Sequence, residues 1–336
     1  MQWQQKGLVS SMKKIGTKKA TGASTGFFGD LKWAVKNWPL YAMFIPGFVF
    51  TLLFAYFPMF GIILAFKKIN LRDGILGSPW VGFDNFKALF RNDSVWLAIR
   101  NTVSYNIVFI FTGLVMAVAL AIALNLVKNK LASKVYQTVY IMPHFLSMVV
   151  IAYLVFAFLN MESGFVNNAI IPAFFGENAD KVNWYAKPEA WPAILFTVKT
   201  WQSVGYSSIV YLAAISGIDT ELYEAAEIDG ATTWQQIVNI TVPSLKTIMI
   251  VMTILNIGKI FNADFGLFYT VTMNSGAIYP TTLVTNTYVY NLMTGAGAAS
   301  TGMSAAASML QSVVGFVLVL TTNMIVRKID EESSMF

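Results

Sequence analysis

The sequence predicts an all-α integral membrane protein with six transmembrane helices and both termini on the cytoplasmic side. Three observations predict it. The 336 residues are 56% hydrophobic and 12% charged, where soluble domains carry about 25% charged residues, and the mean hydropathy is +0.59. Apolar stretches of about 20 residues recur, each long enough for a hydrocarbon core roughly 30 Å thick. Basic residues gather in the tail and in short links, the pattern of cytoplasmic loops. The net charge of +6 then reads as orientation and headgroup contact, not nucleic-acid binding. There is no cysteine, which excludes disulfides and thiolate metal sites.

Residues 1–38 form a basic, Gly/Ser/Thr-rich cytoplasmic tail. Its early lysines, Lys6, Lys13, Lys14, Lys18 and Lys19, lead into polar Thr21–Thr25 and not into the apolar region of a signal peptide. Lys32, Trp33, Lys36 and Trp38 fit an interfacial segment, with ammonium groups at the headgroups and indoles at the boundary. Spans are expected near 41–66, 100–127, 136–160, 191–214, 245–265 and 304–326. The fourth and fifth are the most polar. The first span and an extracytoplasmic loop fill 39–99, with an amphipathic surface helix at 84–98. A core of five spans fills 100–328, and 329–336 is a cytoplasmic tail. Seven tail lysines, Lys128, Lys130 and Lys134, and Arg327–Lys328 share one side, which the positive-inside rule makes cytoplasmic. The loop 67–98 opposes this with Lys67, Lys68, Arg72, Lys87 and Arg91, but it is longer and also carries Asp73, Asp84 and Asp93.

A polar insertion, 215–246, separates spans four and five. Thr220 suits a helix cap with Glu221 in the first turn, where the helix dipole favours acid. That helix should run through Glu224, Ala225 and Ala226 to about Ile228, and Gly230 supplies the left-handed residue that ends it. Thr233 and Gln236 fit a capping box opening a second helix, and Pro243 marks the bend into span five. Small alanines let a partner approach the backbone, and Glu224, Glu227 and Asp229 offer charge to basic residues on it. The same composition also fits an ordinary solvated acidic loop.

Glu224-Ala225-Ala226-Glu227-Ile228-Asp229-Gly230-Ala231, with Ile240 and Pro243 at their spacings, resembles the EAA loop of permease subunits of ATP-binding-cassette importers. The usual Leu before the proline is Val242 here. Pro58–Gly61, Gly77–Phe83, Tyr279-Pro280-Thr281, Thr287–Tyr290 and Gln311–Phe316 resemble the MalF-like sugar-importing branch, most of all its LplB-type subgroup for polysaccharides and complex oligosaccharides. Many relatives have Asp-Thr-Tyr-Val-Tyr-Arg where this chain has Asn286–Asn291, so two charges are missing.

The resemblance implies a type I ABC importer permease fold in the cytoplasmic membrane. It implies a heterodimer with a second permease, two ATPase subunits and an extracytoplasmic solute-binding protein that delivers an oligosaccharide. It makes Glu224, Ala225, Ala226, Asp229, Gly230, Ala231 and Pro243 the ATPase-coupling residues. ATP and Mg would sit on the ATPase subunits, with no cofactor or metal on this chain. The sequence agrees in having no Gly-x-x-x-x-Gly-Lys-Ser/Thr phosphate cradle.

A sugar path needs hydroxyl-bonding groups and flat apolar faces. Trp201, Gln202 and Tyr206 in span four offer that mixture, and Asn256, Lys259 and Asn262 share a sector of span five with Asp264 near its outer end. Such residues inside spans face a cavity or bond to neighbouring helices, and both readings stand; Lys259 equally suits an acid on the second permease. His144, the only histidine, reads as a packing residue. An autonomous secondary transporter or channel would need an inverted repeat or an ion relay. A membrane-embedded enzyme would need a nucleophile or acid–base constellation. None of these is evident in the chain.

Overall fold

The computed structural model describes residues 37–70, 72–295 and 298–329. The basic tail up to residue 36 and the C-terminal residues 330–336 lie outside that set. The described residues are helical, with no strand and one isolated bridge, Lys67 to Trp80. The chain divides into two compact units, Met1–Phe60 and Gly61–Phe336.

Among the described residues three helices are long and apolar enough to cross a membrane: Trp38–Phe66 (α1), Asp93–Asn125 (α3) and Ser300–Lys328, the last lying within the helix Ala298–Ile329 (α11). Two bent pairs bring the number to as many as five if each pair is one span. The first pair is Lys130–Ile141 (α4), extended by a tight turn to Phe145, with Met148–Leu159 (α5), bent by 94°. The second is Thr233–Ser244 (α8) with Lys246–Ile257 (α9), bent by 56°. Trp191–Ile215 (α6) is 25 residues long, about 37 Å at 1.5 Å per residue. Lys199, Gln202, Ser203, Ser207 and Ser208 keep its hydropathy low.

α1, most of which lies in the first unit, is apolar all round and changes its hydrogen-bonding step before its third proline, Pro58. The Phe57 amide reaches back five residues to the Leu52 carbonyl. Pro58 has no amide hydrogen to continue the regular ladder.

The second unit is built on three clusters. Ala117, Val118 and Ala121 of α3 meet Tyr211 and Ile215 of α6 and Leu245. Ile151, Ala152 and Val155 of α5 meet Trp191, Leu195 and Val198 of α6 together with Leu267, Phe268 and Val271. Leu89 of the short helix Asp84–Phe90 (α2) meets Val95 and Ala98 of α3, Tyr288 of Thr285–Gly295 (α10) and Ala307 of α11. Alanines at these contacts let helices approach closely, which is what drives helix association where lipid is as apolar as a side chain.

Several elements differ from expectation. The surface helix stops at Phe90 instead of running to 98. Asn92 accepts from the Ser94 amide at 3.0 Å and caps α3, so residues 93–98 belong to the long helix. The third span is broken, not continuous. Pro143 tightens the chain, Leu146 and Ser147 are extended (ψ 133° and 149°), and the Ser147 hydroxyl caps α5. The fifth span unwinds after Ile257 and does not run to 265. Lys67, counted among the basic residues of the opposing loop, is buried. Its ammonium donates to the Ile75 and Leu76 carbonyls at 3.0 and 2.7 Å and lies 5.1 Å from the Trp80 ring centre.

Candidate functional site

The insertion between α6 and α9 is a helical hairpin. Its first helix is Thr220–Ile228 (α7). The cap is Asp219, one residue before the expected Thr220. Its carboxylate accepts from the Glu221 amide at 3.0 Å and also meets the positive end of the helix dipole. The Ala231 amide donates to the Ala226 carbonyl at 2.8 Å and the Gly230 amide to the Glu227 carbonyl at 3.0 Å. This paired closure requires a left-handed residue between the helices, and Gly230 has φ 78°.

The capping box that opens α8 is Thr232 with Gln235, not Thr233 with Gln236. Both pairs have the required spacing, and the chain uses the earlier one. Between Ile237 and Thr241 the helix widens, and the Val242 amide reaches the Ile237 carbonyl. That wide turn accommodates Pro243, which lacks a donor. The bend itself falls at Leu245. A bond of 2.9 Å between the Tyr223 and Thr241 hydroxyls ties the two helices together.

Glu224, Ala225, Asp229 and Pro243 are exposed, and Ala226 and Ala231 are half-buried. Beside the acids stand exposed apolar groups: Ile228 at 86%, Trp234 at 71% and Leu222 at 52%. A solvated acidic loop has no reason to display these. An acidic surface with apolar anchors suits docking.

A cavity of about 460 Å³ opens between α3, α6 and the unwound end of α9, within the usual range for small-molecule sites. Asn256, Lys259, Asn262 and Asp264 all line it. They come together because the helix breaks at Gly258. A Cβ there would fall 2.3 Å from the Val319 side chain, and one on Gly315 would fall 2.6 Å from the Gly258 carbonyl. Backbone therefore meets backbone where α11 crosses the break.

The freed peptide groups are satisfied from neighbouring helices. Asn106 of α3 donates to the Ile260 and Asn262 carbonyls at 2.7 and 3.1 Å. Thr285 and Gln311 each donate to the Phe261 carbonyl at 2.9 Å, and Asn286 accepts from the Ala263 amide at 3.0 Å. Non-helical backbone persists at membrane depth only with such partners or beside a water-filled cavity. Asp264 binds the Lys199 ammonium at 2.8 Å and accepts from the Leu267 amide at 3.2 Å.

The span-four candidates lie elsewhere. Lys199, Ser203, Ser207 and Tyr211 line the cavity at four-residue spacing. Trp201 falls about 140° round the helix from that stripe and is exposed. Gln202 is buried. Tyr206 stacks on His144, with ring centres 4.0 Å apart and planes within 6°, a packing contact. Lys199, Ser203 and Ser207 of α6 and Asn106 of α3 are additional lining residues, and the i, i+4 polar stripe on α6 is the sequence signal that marks the first three.

Long apolar helices, a broken span beside a polar cavity and an exposed hairpin define a multi-pass membrane permease. The chain belongs to the binding-protein-dependent transport system inner membrane components, whose family model matches residues 110–331. It is 34% identical over 87% of its length, and 89% of the relative's, to the polygalacturonan/rhamnogalacturonan transport system permease protein YteP of Bacillus subtilis (strain 168). Protein LplB of the same organism is 32% identical, over 87% of this chain and 90% of that one. Among solved structures it resembles a chain of a bacterial ABC transporter involved in the import of the acidic polysaccharide alginate. The TM-score is 0.79 at 35% identity, covering 89% of this chain and 99% of the other. A chain of the alginate transporter in complex with alginate pentasaccharide-bound periplasmic protein gives 0.77 at 34%, covering 89% and 97%. The protein is thus an ABC transporter permease of the type I fold in the cytoplasmic membrane, and not an enzyme.

Proposed function

We propose that this chain is one of two transmembrane subunits of an ATP-driven importer for oligosaccharides or polysaccharide fragments. A second, homologous permease completes the pathway, and an extracytoplasmic binding protein delivers the cargo. Two ATPase subunits, which hold ATP and Mg, grip hairpins on the cytoplasmic side. The relatives named for polygalacturonan, rhamnogalacturonan and alginate support the cargo class, and the complex with a loaded periplasmic protein supports the delivery route.

The observation that carries the reading is the hairpin α7–α8, exposed, acidic and studded with Ile228 and Trp234. Its rigid closure at Gly230 and the Tyr223–Thr241 clasp let it move as one lever. It continues through Leu245 into α9, whose far end borders the cavity. A push on the lever therefore reaches the unwound segment through one helix. Alternating access follows when ATP favours one arrangement of the spans and the loaded binding protein another.

In this reading the six spans are α1, α3, the α4–α5 pair, α6, the fifth through α9 and α11, with both termini inside. Trp201, Gln202 and Tyr206 serve packing or the permease pair, while Asn256, Lys259, Asn262 and Asp264 face the path.

The test is purification and reconstitution. The wild-type chain should co-purify with a second permease and an ATPase and should import saccharide only with ATP and binding protein. Glu224→Lys should lower ATPase retention and uptake at least about tenfold (about 1.4 kcal/mol) with normal membrane insertion. Wild-type coupling in that variant would remove the hairpin from the role, and transport by the chain alone in liposomes would make it an autonomous carrier.

A further inference from the structure

The cavity has a charge as well as a shape. Two lysines, Lys199 and Lys259, line it against one carboxylate, Asp264. Asp264 is already engaged by Lys199 at 2.8 Å and by the Leu267 amide. Among the described residues no acid lies within ion-pair reach of Lys259. Its side chain is exposed beside Asn256 and Asn262, where the span has unwound. A lone ammonium at membrane depth is costly and faces a partner or a water-filled path. Here it stands among neutral carboxamides in a cavity with one uncompensated positive charge. Its complement comes from outside this chain, and an anion that arrives with the cargo would bind it by a charge-assisted hydrogen bond.

We propose that the cavity takes a saccharide bearing carboxylates, a chain of uronic-acid units, and that Lys259 sets this preference by pairing with a sugar carboxylate. This rests on the importer reading above and adds the charge of the cargo. The rest of the lining suits such a ring. Asn256 and Asn262 and the hydroxyls of Ser203 and Ser207 match ring hydroxyls, and Phe109 offers an apolar face to the C–H side. Asp264 repels a carboxylate, so the anionic group settles on the Lys259 side. The Lys199–Asp264 pair is neutral as a unit and holds the loop after the break in place.

The experiment uses the complete transporter in proteoliposomes: this chain, its partner permease, the ATPase subunits and the binding protein. The probes are trigalacturonate, its fully methyl-esterified form and neutral maltotriose. The binding protein is the same in every arm, so its own selectivity cancels in variant-to-wild-type ratios. Lys259→Met should lower uptake of the acid about tenfold relative to the ester, and Lys259→Arg should keep the wild-type ratio. An unchanged ratio in Lys259→Met overturns the proposal. Loss of the second permease from the purified Lys259→Met complex does so too, since it assigns the lysine to subunit packing. Wild-type uptake of maltotriose without the acid trimer overturns the charge preference and leaves the importer standing. No ATP-dependent uptake of any probe overturns both.

Discussion

Lys199 and Asp264 come from segments 65 positions apart and meet at 2.8 Å. Their side chains are only 26% and 29% exposed, so each is the main countercharge of the other in a poorly hydrated place. Removing one partner leaves the other as an uncompensated charge, which costs more than the pair contributes. Lys199→Met and Asp264→Asn should each lower complex yield and uptake, whereas the double variant should do better than the product of the two. A double-mutant cycle on thermal stability in detergent measures the coupling. Strictly additive losses would show that the two charges act apart. The pair was half legible in the sequence. Asp264 is marked by its place at the end of a span, whereas Lys199 sits within a polar run of α6 where the sequence does not single it out. Its partner became visible only when the unwound turn brought residue 264 back against α6.

At the scale of elements, the hairpin was legible nearly residue by residue because its signals are local. Gly230 at φ 78° follows from the run Asp229-Gly230. The capping box slipped by one residue because Thr232-x-x-Gln235 and Thr233-x-x-Gln236 satisfy the same rule. The break in the third span has a local mark in Pro143, but the unwinding of the fifth was not legible, because the groups that satisfy it lie in other helices. Nothing in Ile257–Asp264 announces that Asn106, Thr285 and Gln311 will take over its carbonyls, and hydropathy alone reads the stretch as continuous helix. The same local logic yields a graded test of the lever. Gly230→Ala places a Cβ on a left-handed residue and costs about 1–2 kcal/mol. Gly230→Pro also demands φ near −65° and removes the donor to Glu227, so it should cost more. ATPase retention should fall in the order Gly, Ala, Pro while membrane insertion stays constant. Equal retention in all three would mean that the angle at Gly230 is irrelevant to docking.

For the whole molecule the decisive quantity is orientation, since the hairpin works as a lever only if it faces the motor. The basic residues give one answer through Lys128, Lys130, Lys134, Arg327 and Lys328. The basic loop 67–98 weighs less against it than its composition suggests. Lys67 is buried against carbonyls and Trp80, and Lys87 pairs with Asp84 at 2.9 Å. Charges already answered within the protein attract anionic lipid less than the open lysines of a short link. The absence of cysteine makes the point directly measurable, because every introduced thiol is unique. Ser133→Cys in α4 and Glu227→Cys in the hairpin should react with a membrane-impermeant maleimide only after the membrane is opened. Glu177→Cys, in the long loop before α6, should react in intact cells or spheroplasts. All three positions are exposed or half-buried in the chain itself, so reactivity reports sidedness. Labelling of Glu227→Cys from outside would place the hairpin away from any cytoplasmic ATPase and end the lever mechanism.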